Sequence, residues 1–146
     1  LWNEKGQFVI AGDQVISSIS PNLGVYATEP DADPVGEWIQ SCERFLSFGK
    51  STHLVLSGHK LPFTGLPFRL NQLVENHQSC LSRLRAFLTI PRSACDCFQP
   101  LFKKKIGKDE YILALGEAVA HLNHLYKIGS VVRVIDCQGV YRYTVS

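Results

Sequence analysis

Two strand-like runs in this sequence each lead into a glycine and then into a side chain that binds metal ions in many proteins. Residues 7–11 lead into Gly12 and Asp13, and residues 54–56 lead through Ser57-Gly58 into His59. Short apolar runs bounded by turn residues predict buried strands, and glycine lets the backbone turn tightly where a strand ends. Carboxylate and imidazole groups are common ligands of divalent metals. The pattern therefore makes Asp13 and His59 candidate metal ligands.

Both side chains also have ordinary structural explanations. Asp13 could be a turn residue that follows a strand, and His59 could be a loop histidine whose ring nitrogens are satisfied by neighbours. Spacing alone favours these explanations, because isolated motif matches are usually false. The metal interpretation therefore needs support from the rest of the chain.

The composition predicts a folded chain of one domain or two small ones. With 146 residues, 45% hydrophobic content and a formal net charge of +2, it can bury an ordinary core and carries no strong charge for a polyanionic partner. No stretch approaches the roughly 20 apolar residues that span a bilayer. The five cysteines lack the spacing of a disulfide framework, which predicts free thiols and a cytoplasmic protein. These features exclude a membrane-spanning protein and a disulfide scaffold.

The N-terminus predicts a segment of a longer protein. The sequence contains no methionine, so Leu1 is not an initiator residue, and it opens directly on a strand-like run. The polar residues 3–6 favour a hairpin turn whose first strand is cut near residue 1. We therefore expect a processed or partial chain.

Periodicity and turn chemistry predict the remaining elements. Asp33-Pro34 is a strong helix start, since aspartate caps exposed amides and proline suits the first helical position, and Gly49 ends this helix. A longer helix begins at Leu66 and ends before Pro91, and a short one covers residues 94–102. The third helix after residue 65 begins near Asp109-Glu110, and its predicted apolar face consists of Ile112, Leu115, Val119, Leu122 and Tyr126. Residues 131–135 and 140–145 predict a C-terminal β-hairpin.

Three other histidines lie in the predicted helices. His77 falls on the apolar face of the long helix, which favours a core or interdomain role. His121 and His124 are three residues apart, a spacing that suits a metal, but the sequence offers no third ligand nearby. We predict packing or solvent-facing roles for this pair.

Taken together, these pieces resemble a known family. Ala11-Gly12-Asp13, the Ser20-Pro21-Asn22 loop, residues 29–34 and Ser57-Gly58-His59 resemble the later half of a metallo-β-lactamase-fold hydrolase. The stretch from about Leu66 to Val132 is similar to a small winged-helix domain that follows this fold in one branch of the family. The fold class implied is α+β. Residues 1–65 would be the C-terminal part of an αββα sandwich, and residues 66–146 a winged helix of three helices and a β-hairpin.

The resemblance implies zinc-dependent hydrolysis of a thioester, ester, lactone or phosphodiester in a complete parent enzyme. Asp13 would bridge two zinc ions, and His59 would be a terminal ligand of one of them. The His-x-His-x-Asp-His run of the family does not occur in this sequence, so we expect the chain alone to retain little zinc and to be inactive. The implied partners are a small-molecule substrate, a missing N-terminal half and a second copy of the chain.

Lys60 departs from the resembling family, which usually has a small residue after the histidine. Its charge would either disfavour a second cation or contact an anionic group of the substrate. We therefore include Lys60 as a candidate substrate-binding residue.

The rival function is a winged-helix module that binds nucleic acid or another protein. Phosphate contacts would come from the basic turn formed by Lys103, Lys104 and Lys105. The third helix of the winged-helix domain would enter the groove of the nucleic acid, but it carries the acidic residues Asp109, Glu110 and Glu117. Base reading favours Arg, Lys, Asn or Gln at such positions, so nucleic acid is the weaker prediction.

Overall fold

The computed structural model describes residues 1–3, 5 and 7–146, and it contains both helices and small sheets. The strands are β1 (Phe8–Gly12), β2 (Leu54–Ser57), β3 (Val131–Ile135) and β4 (Tyr141–Val145). The helices are α1 (Pro34–Leu46), α2 (Leu66–Phe87), α3 (Phe98–Phe102) and α4 (Tyr111–Lys127), with a 3-10 turn at Cys95–Cys97. The mixed α+β class is therefore confirmed. None of the helices in these residues has the length and hydrophobicity needed to cross a bilayer.

The chain forms two compact units. The first unit comprises residues 1–21 and 37–76, and the second comprises residues 22–36 and 77–146. The division into domains at residues 65 and 66 stays a prediction, as does the winged-helix assignment of the second part.

Two parallel strands organise the first unit. β1 pairs with β2 in the register Phe8 with Leu54 and Val9 with Val55, and both valines are buried. Trp2 adds an isolated antiparallel bridge to Val9, in agreement with the predicted N-terminal hairpin. The turn of that hairpin was predicted at residues 3–6, of which Glu4 and Gly6 lie outside the described residues.

Apolar helix faces complete the core of the first unit. In residues 37–46 of α1, which belong to this unit, the buried side chains are Trp38 and Cys42, one helical turn apart. The indole Nε1–H of Trp38 donates to the carbonyl O of Gln14 at 3.0 Å. In residues 66–76 of α2 the buried side chains are Leu66, Leu70, Leu73 and Val74. Leu66, Leu70 and Leu73 are four and three residues apart, the spacing of one face of a helix.

The predicted apolar face of α4 in the second unit was wrong. Ile112 is 82% exposed and Tyr126 is also exposed, whereas Leu122 is the one predicted member that is buried. The residues that α4 buries are Ala114, Ala118, Ala120, His121, Leu122, Asn123 and Leu125. α4 carries apolar residues around most of its circumference, so periodicity could not tell which face packs. Three alanines face the core beside larger residues such as Leu122, whereas Ile112 and Leu113 remain outside.

The predicted C-terminal β-hairpin is confirmed. β3 and β4 pair antiparallel, from Val131 with Val145 to Ile135 with Tyr141. The carboxylate Oδ1 of Asp136 accepts hydrogen bonds from the backbone N–H groups of Gln138 and Val140, at 2.9 and 3.0 Å. Such local side-chain bonds favour tight turns, which explains why the turn signal was readable from the sequence.

Candidate functional site

The structure brings the two predicted ligands together at one edge of the parallel strand pair. Asp13 directly follows β1, and His59 lies two residues beyond the end of β2. Because β1 and β2 are parallel and Gly12 pairs with Ser57, both carboxyl ends meet at the same edge. His59 Nε2 lies 3.5 Å from Asp13 Oδ2.

Backbone contacts hold the two strand ends in place. The N–H of Gly58 donates to the carbonyl O of Gly12 at 2.9 Å, and the hydroxyl of Ser57 donates to the carbonyl O of Val15 at 2.8 Å. Gly12 has a φ of +54°, a backbone conformation that residues other than glycine rarely adopt. The chain can therefore turn out of β1 and place Asp13 beside the β2 loop.

Gly58 leaves room for the carboxylate of Asp13. A Cβ atom added at Gly58 would lie 2.5 Å from Asp13 Oδ1 and 3.4 Å from the backbone carbon of Gly12. Contacts shorter than 3.0 Å require a neighbour to move. The sequence predicts a turn at this glycine, but the space that it leaves for Asp13 can be seen only in the structure.

The donor pair fits part of a zinc site. A tetrahedral zinc ion with bonds of about 2.1 Å holds two of its donor atoms about 3.4 Å apart, close to the separation of His59 Nε2 and Asp13 Oδ2. The side chains of His59 and Asp13 are 66% and 60% exposed, so an ion and further ligands can reach them. Across the described part of the chain, no group of three or more His, Cys, Asp or Glu residues could hold a metal ion.

This chain is similar to known proteins over nearly its whole length. Residues 81–146 match the family model described as metallo-beta-lactamase-like, C-terminal domain. The chain is similar to a beta-lactamase domain protein from Burkholderia ambifaria, with 34% identity, a TM-score of 0.93, and coverage of 99% of this chain and 43% of that one. This chain is a C-terminal portion of a metallo-β-lactamase-fold protein.

A second solved structure extends the same result. A metallo-beta-lactamase family protein from Thermus thermophilus shows 28% identity and a TM-score of 0.78, with coverage of 94% of this chain and 41% of that one. This metallo-β-lactamase-fold chain therefore spans less than half the length of either relative. No curated protein matches it. The resemblance inferred from the strand-end motifs is confirmed.

Lys60 directly follows His59 and has an unusual backbone conformation. Its φ of +70° places a residue other than glycine in the left-handed region, and the residue is exposed. Such conformations cost energy and are found often at functional sites. The role of Lys60 in substrate binding stays a prediction.

The basic turn of the metallo-β-lactamase-fold chain is exposed and partly neutralised. Lys103 has a φ of +54° and ends α3, and Lys104 Nζ forms an ion pair with Glu110 Oε1 at 2.6 Å. The three lysines line a cleft of about 570 Å³ together with the rings of Phe98 and Tyr111. Nucleic-acid binding by Lys103, Lys104 and Lys105 stays a prediction.

His77 and His121 form a buried pair in the second unit. His77 Nδ1 lies 3.2 Å from His121 Nε2, and His121 Nδ1 lies 2.8 Å from the carbonyl O of Glu117. A carbonyl oxygen only accepts, so His121 donates from Nδ1 and accepts at Nε2 from the Nδ1–H of His77. Burial, with a contribution from His121, lowers the pKa of His77 to about 4, and burial also lowers the pKa of His121. The predicted core role of His77 and the packing role of His121 are confirmed.

Two further side chains in the second unit, His124 and Glu117, have partners that are remote in the sequence. His124 Nδ1 lies 3.1 Å from both carboxylate oxygens of Asp33, the residue that caps α1 through the N–H of Gly36. Burial raises the pKa of Glu117 to about 7, and its Oε2 accepts a hydrogen bond from Asn22 at 3.1 Å. The partners are about 90 residues apart, so no local signal could have linked them.

Proposed function

We propose that this chain supplies part of the zinc centre of a metal-dependent hydrolase, with Asp13 and His59 as ligands. The observation that supports the proposal is the 3.5 Å separation of Asp13 Oδ2 and His59 Nε2 at the end of two parallel strands. Loops beyond the carboxyl ends of parallel strands are frequent ligand sites in α/β proteins. The relatives carry a beta-lactamase or metallo-beta-lactamase name, which agrees with a hydrolase.

Each residue of the site has a separate role in this proposal. Bound zinc lowers the pKa of water and polarises the substrate oxygen. The carboxylate of Asp13 would hold two ions, and the imidazole of His59 would hold one of them. Lys60 attracts an anionic group of the substrate. The hydrolysed bond is a thioester, ester, lactone or phosphodiester.

The remaining ligands come from an N-terminal half that this chain does not contain. A catalytic zinc site usually takes three protein ligands per ion, and Asp13 and His59 supply only two donor side chains. The isolated chain is therefore expected to hold zinc weakly and to hydrolyse no ester. In the complete protein the partners are a small-molecule substrate and a second copy of the chain.

A zinc titration followed by proton NMR of the imidazole groups tests the ligand assignment. The C2–H resonance of His59 is expected to shift before those of His53, His77 and His121, because these three rings are buried. Asp13→Asn is expected to weaken zinc binding at His59 about tenfold, because the second donor becomes a neutral amide. Asp109→Asn removes an exposed carboxylate elsewhere in the chain and serves as the matched control.

Two results would contradict the assignment. One is equal zinc affinity in the Asp13→Asn variant and the unmodified chain, and the other is tight zinc binding that survives His59→Ala. Activity itself is tested in a complete protein that carries this segment, with a panel of the four substrate classes. Asp13→Ala and His59→Ala should each reduce kcat/KM at least a hundredfold without lowering the melting temperature.

Binding of nucleic acid has less support than the hydrolase proposal. The exposed side of α4 carries the apolar side chains of Ile112 and Leu113, and Lys104 is already paired with Glu110. A helix that reads bases presents polar or basic side chains instead. Salt-dependent retention on duplex DNA would reverse this ranking.

A further inference from the structure

A groove along the outer side of α4 has no role in the proposed metal chemistry. This α4 groove lies within the second compact unit and has a volume of about 490 Å³. The apolar side chains that line it include Val25, Tyr26, Ile112, Leu115, Val119 and Val140. Ile112, Leu115 and Val119 are spaced along one side of α4, so they form a continuous floor.

Two glycines let one wall of the α4 groove lie close against the helix. The N–H of Val25 donates to the carbonyl O of Gly116 at 3.1 Å. A Cβ atom at Gly116 would lie 3.3 Å from the carbonyl O of Val25 and 3.6 Å from Gly24 Cα. The segment around Val25 is therefore held along α4 and forms one wall of the α4 groove.

The α4 groove contains no charge that lacks a partner. Among its described lining residues, Arg133 is the one that is formally charged. Arg133 Nη1 pairs with Asp31 Oδ1 at 2.9 Å, and its guanidinium carbon lies 4.6 Å and 4.3 Å from the ring centres of Tyr126 and Tyr141. An anionic ligand would have to compete with Asp31 for this guanidinium, so charge complementarity favours a neutral ligand.

We propose that the α4 groove binds a neutral, mainly apolar small molecule. Its volume lies within the range of roughly 300–1,000 Å³ that is typical of small-molecule sites. Ile112 is 82% exposed and Tyr26 is 74% exposed, and covering them would remove apolar surface from water. The groove shares no residue with the Asp13 and His59 site.

A pair of fluorescent probes that differ by one charged group tests this proposal. N-phenyl-1-naphthylamine is neutral, and 8-anilinonaphthalene-1-sulfonate is a similar molecule that carries a sulfonate. The neutral probe is expected to bind saturably with one site per chain, and the sulfonate probe at least fivefold more weakly. The NMR methyl signals of Leu115 and Val119 should shift on addition of the neutral probe.

Charged substitutions locate the site. Ile112→Glu places a carboxylate in the α4 groove and should weaken the neutral probe at least tenfold, and Val140→Glu should do so from the hairpin side. Leu113→Glu is the matched control, because Leu113 is also exposed on α4 but does not line the groove. It should change the affinity less than twofold.

Several outcomes would overturn the proposal. They are the absence of saturable binding, an equal loss of affinity in the Leu113→Glu control, and tighter binding of the sulfonate probe. A fourth is a dimer in sedimentation experiments that Ile112→Glu dissociates, since the groove would then be covered by a second copy of the chain. None of these outcomes affects the zinc titration of Asp13 and His59.

Discussion

Acidification should destabilise this protein through the buried pair of His77 and His121. In the unfolded chain a histidine takes up its proton near the ordinary pKa of about 6.5, whereas the pKa of His77 in the folded chain is about 4. Between these values the unfolded state binds more protons than the folded state, so stability falls as the pH drops from about 6.5 towards 4. Below about 4 this group adds no further loss, and above about 6.5 it has no effect.

The magnitude follows from the two pKa values. Each pH unit between them is worth about 1.4 kcal/mol for one proton, so lowering the pH from 7.5 to 4.5 should remove roughly 2.5 kcal/mol through His77 alone. Typical domains have a free energy of unfolding of about 5–15 kcal/mol, and the effect is therefore large enough to measure. His121 adds a loss of the same sign, because burial lowers its pKa as well.

His77→Asn is the variant that isolates this contribution. Asparagine does not titrate, and its amide N–H₂ can replace His77 Nδ1–H as the donor to His121 Nε2. Urea unfolding followed by far-UV circular dichroism at pH 7.5 and 4.5 gives the loss of stability for each protein. The loss should be roughly 2.5 kcal/mol smaller in His77→Asn than in the unmodified chain.

The matched control is Gln78→Asn, an exposed change at the next residue of α2. It tests the effect of asparagine on the helix and should leave the acid-dependent loss unchanged. If His77→Asn lost as much stability on acidification as the unmodified chain, the assignment of acid sensitivity to His77 would be refuted.

Two further predictions concern the metal site and α4. Gly58→Ala should weaken zinc binding several-fold with little change in melting temperature. The added Cβ meets the carboxylate of Asp13, which is exposed and can rotate away. Gly107→Ala is the control, because a Cβ at Gly107 meets no atom within 4 Å. Calorimetric zinc titrations and thermal unfolding check both, and equal zinc affinity in the two variants would contradict the role of Gly58. Glu117→Gln should become more stable relative to the unmodified chain as the pH rises from about 4.5 through 7. Burial holds the pKa of Glu117 at about 7 in the folded chain, so ionisation of this carboxyl favours unfolding. Urea unfolding at pH 5 and pH 8 measures this difference, and a gain that did not grow with pH would contradict it.

The sequence by itself determined the elements and the candidate ligands wherever the signal was local. Asp33-Pro34 starts α1, residues 136–139 form the turn of the hairpin, and both strand-end motifs lie where the glycines predicted them. Capping, proline geometry and tight turns act over a few residues, so they can be read without a fold. The order of the motifs was also enough to reveal the family.

The tertiary structure alone decided which surfaces meet. The 3.5 Å contact of Asp13 and His59 joins residues 46 positions apart and depends on the pairing of β1 with β2, which no local pattern fixes. α4 buries its alanines and leaves Ile112 exposed, because several of its faces are apolar and only the packing partners select among them. One wall of the α4 groove lies where Gly24 and Gly116, which are remote from each other in the chain, come close together.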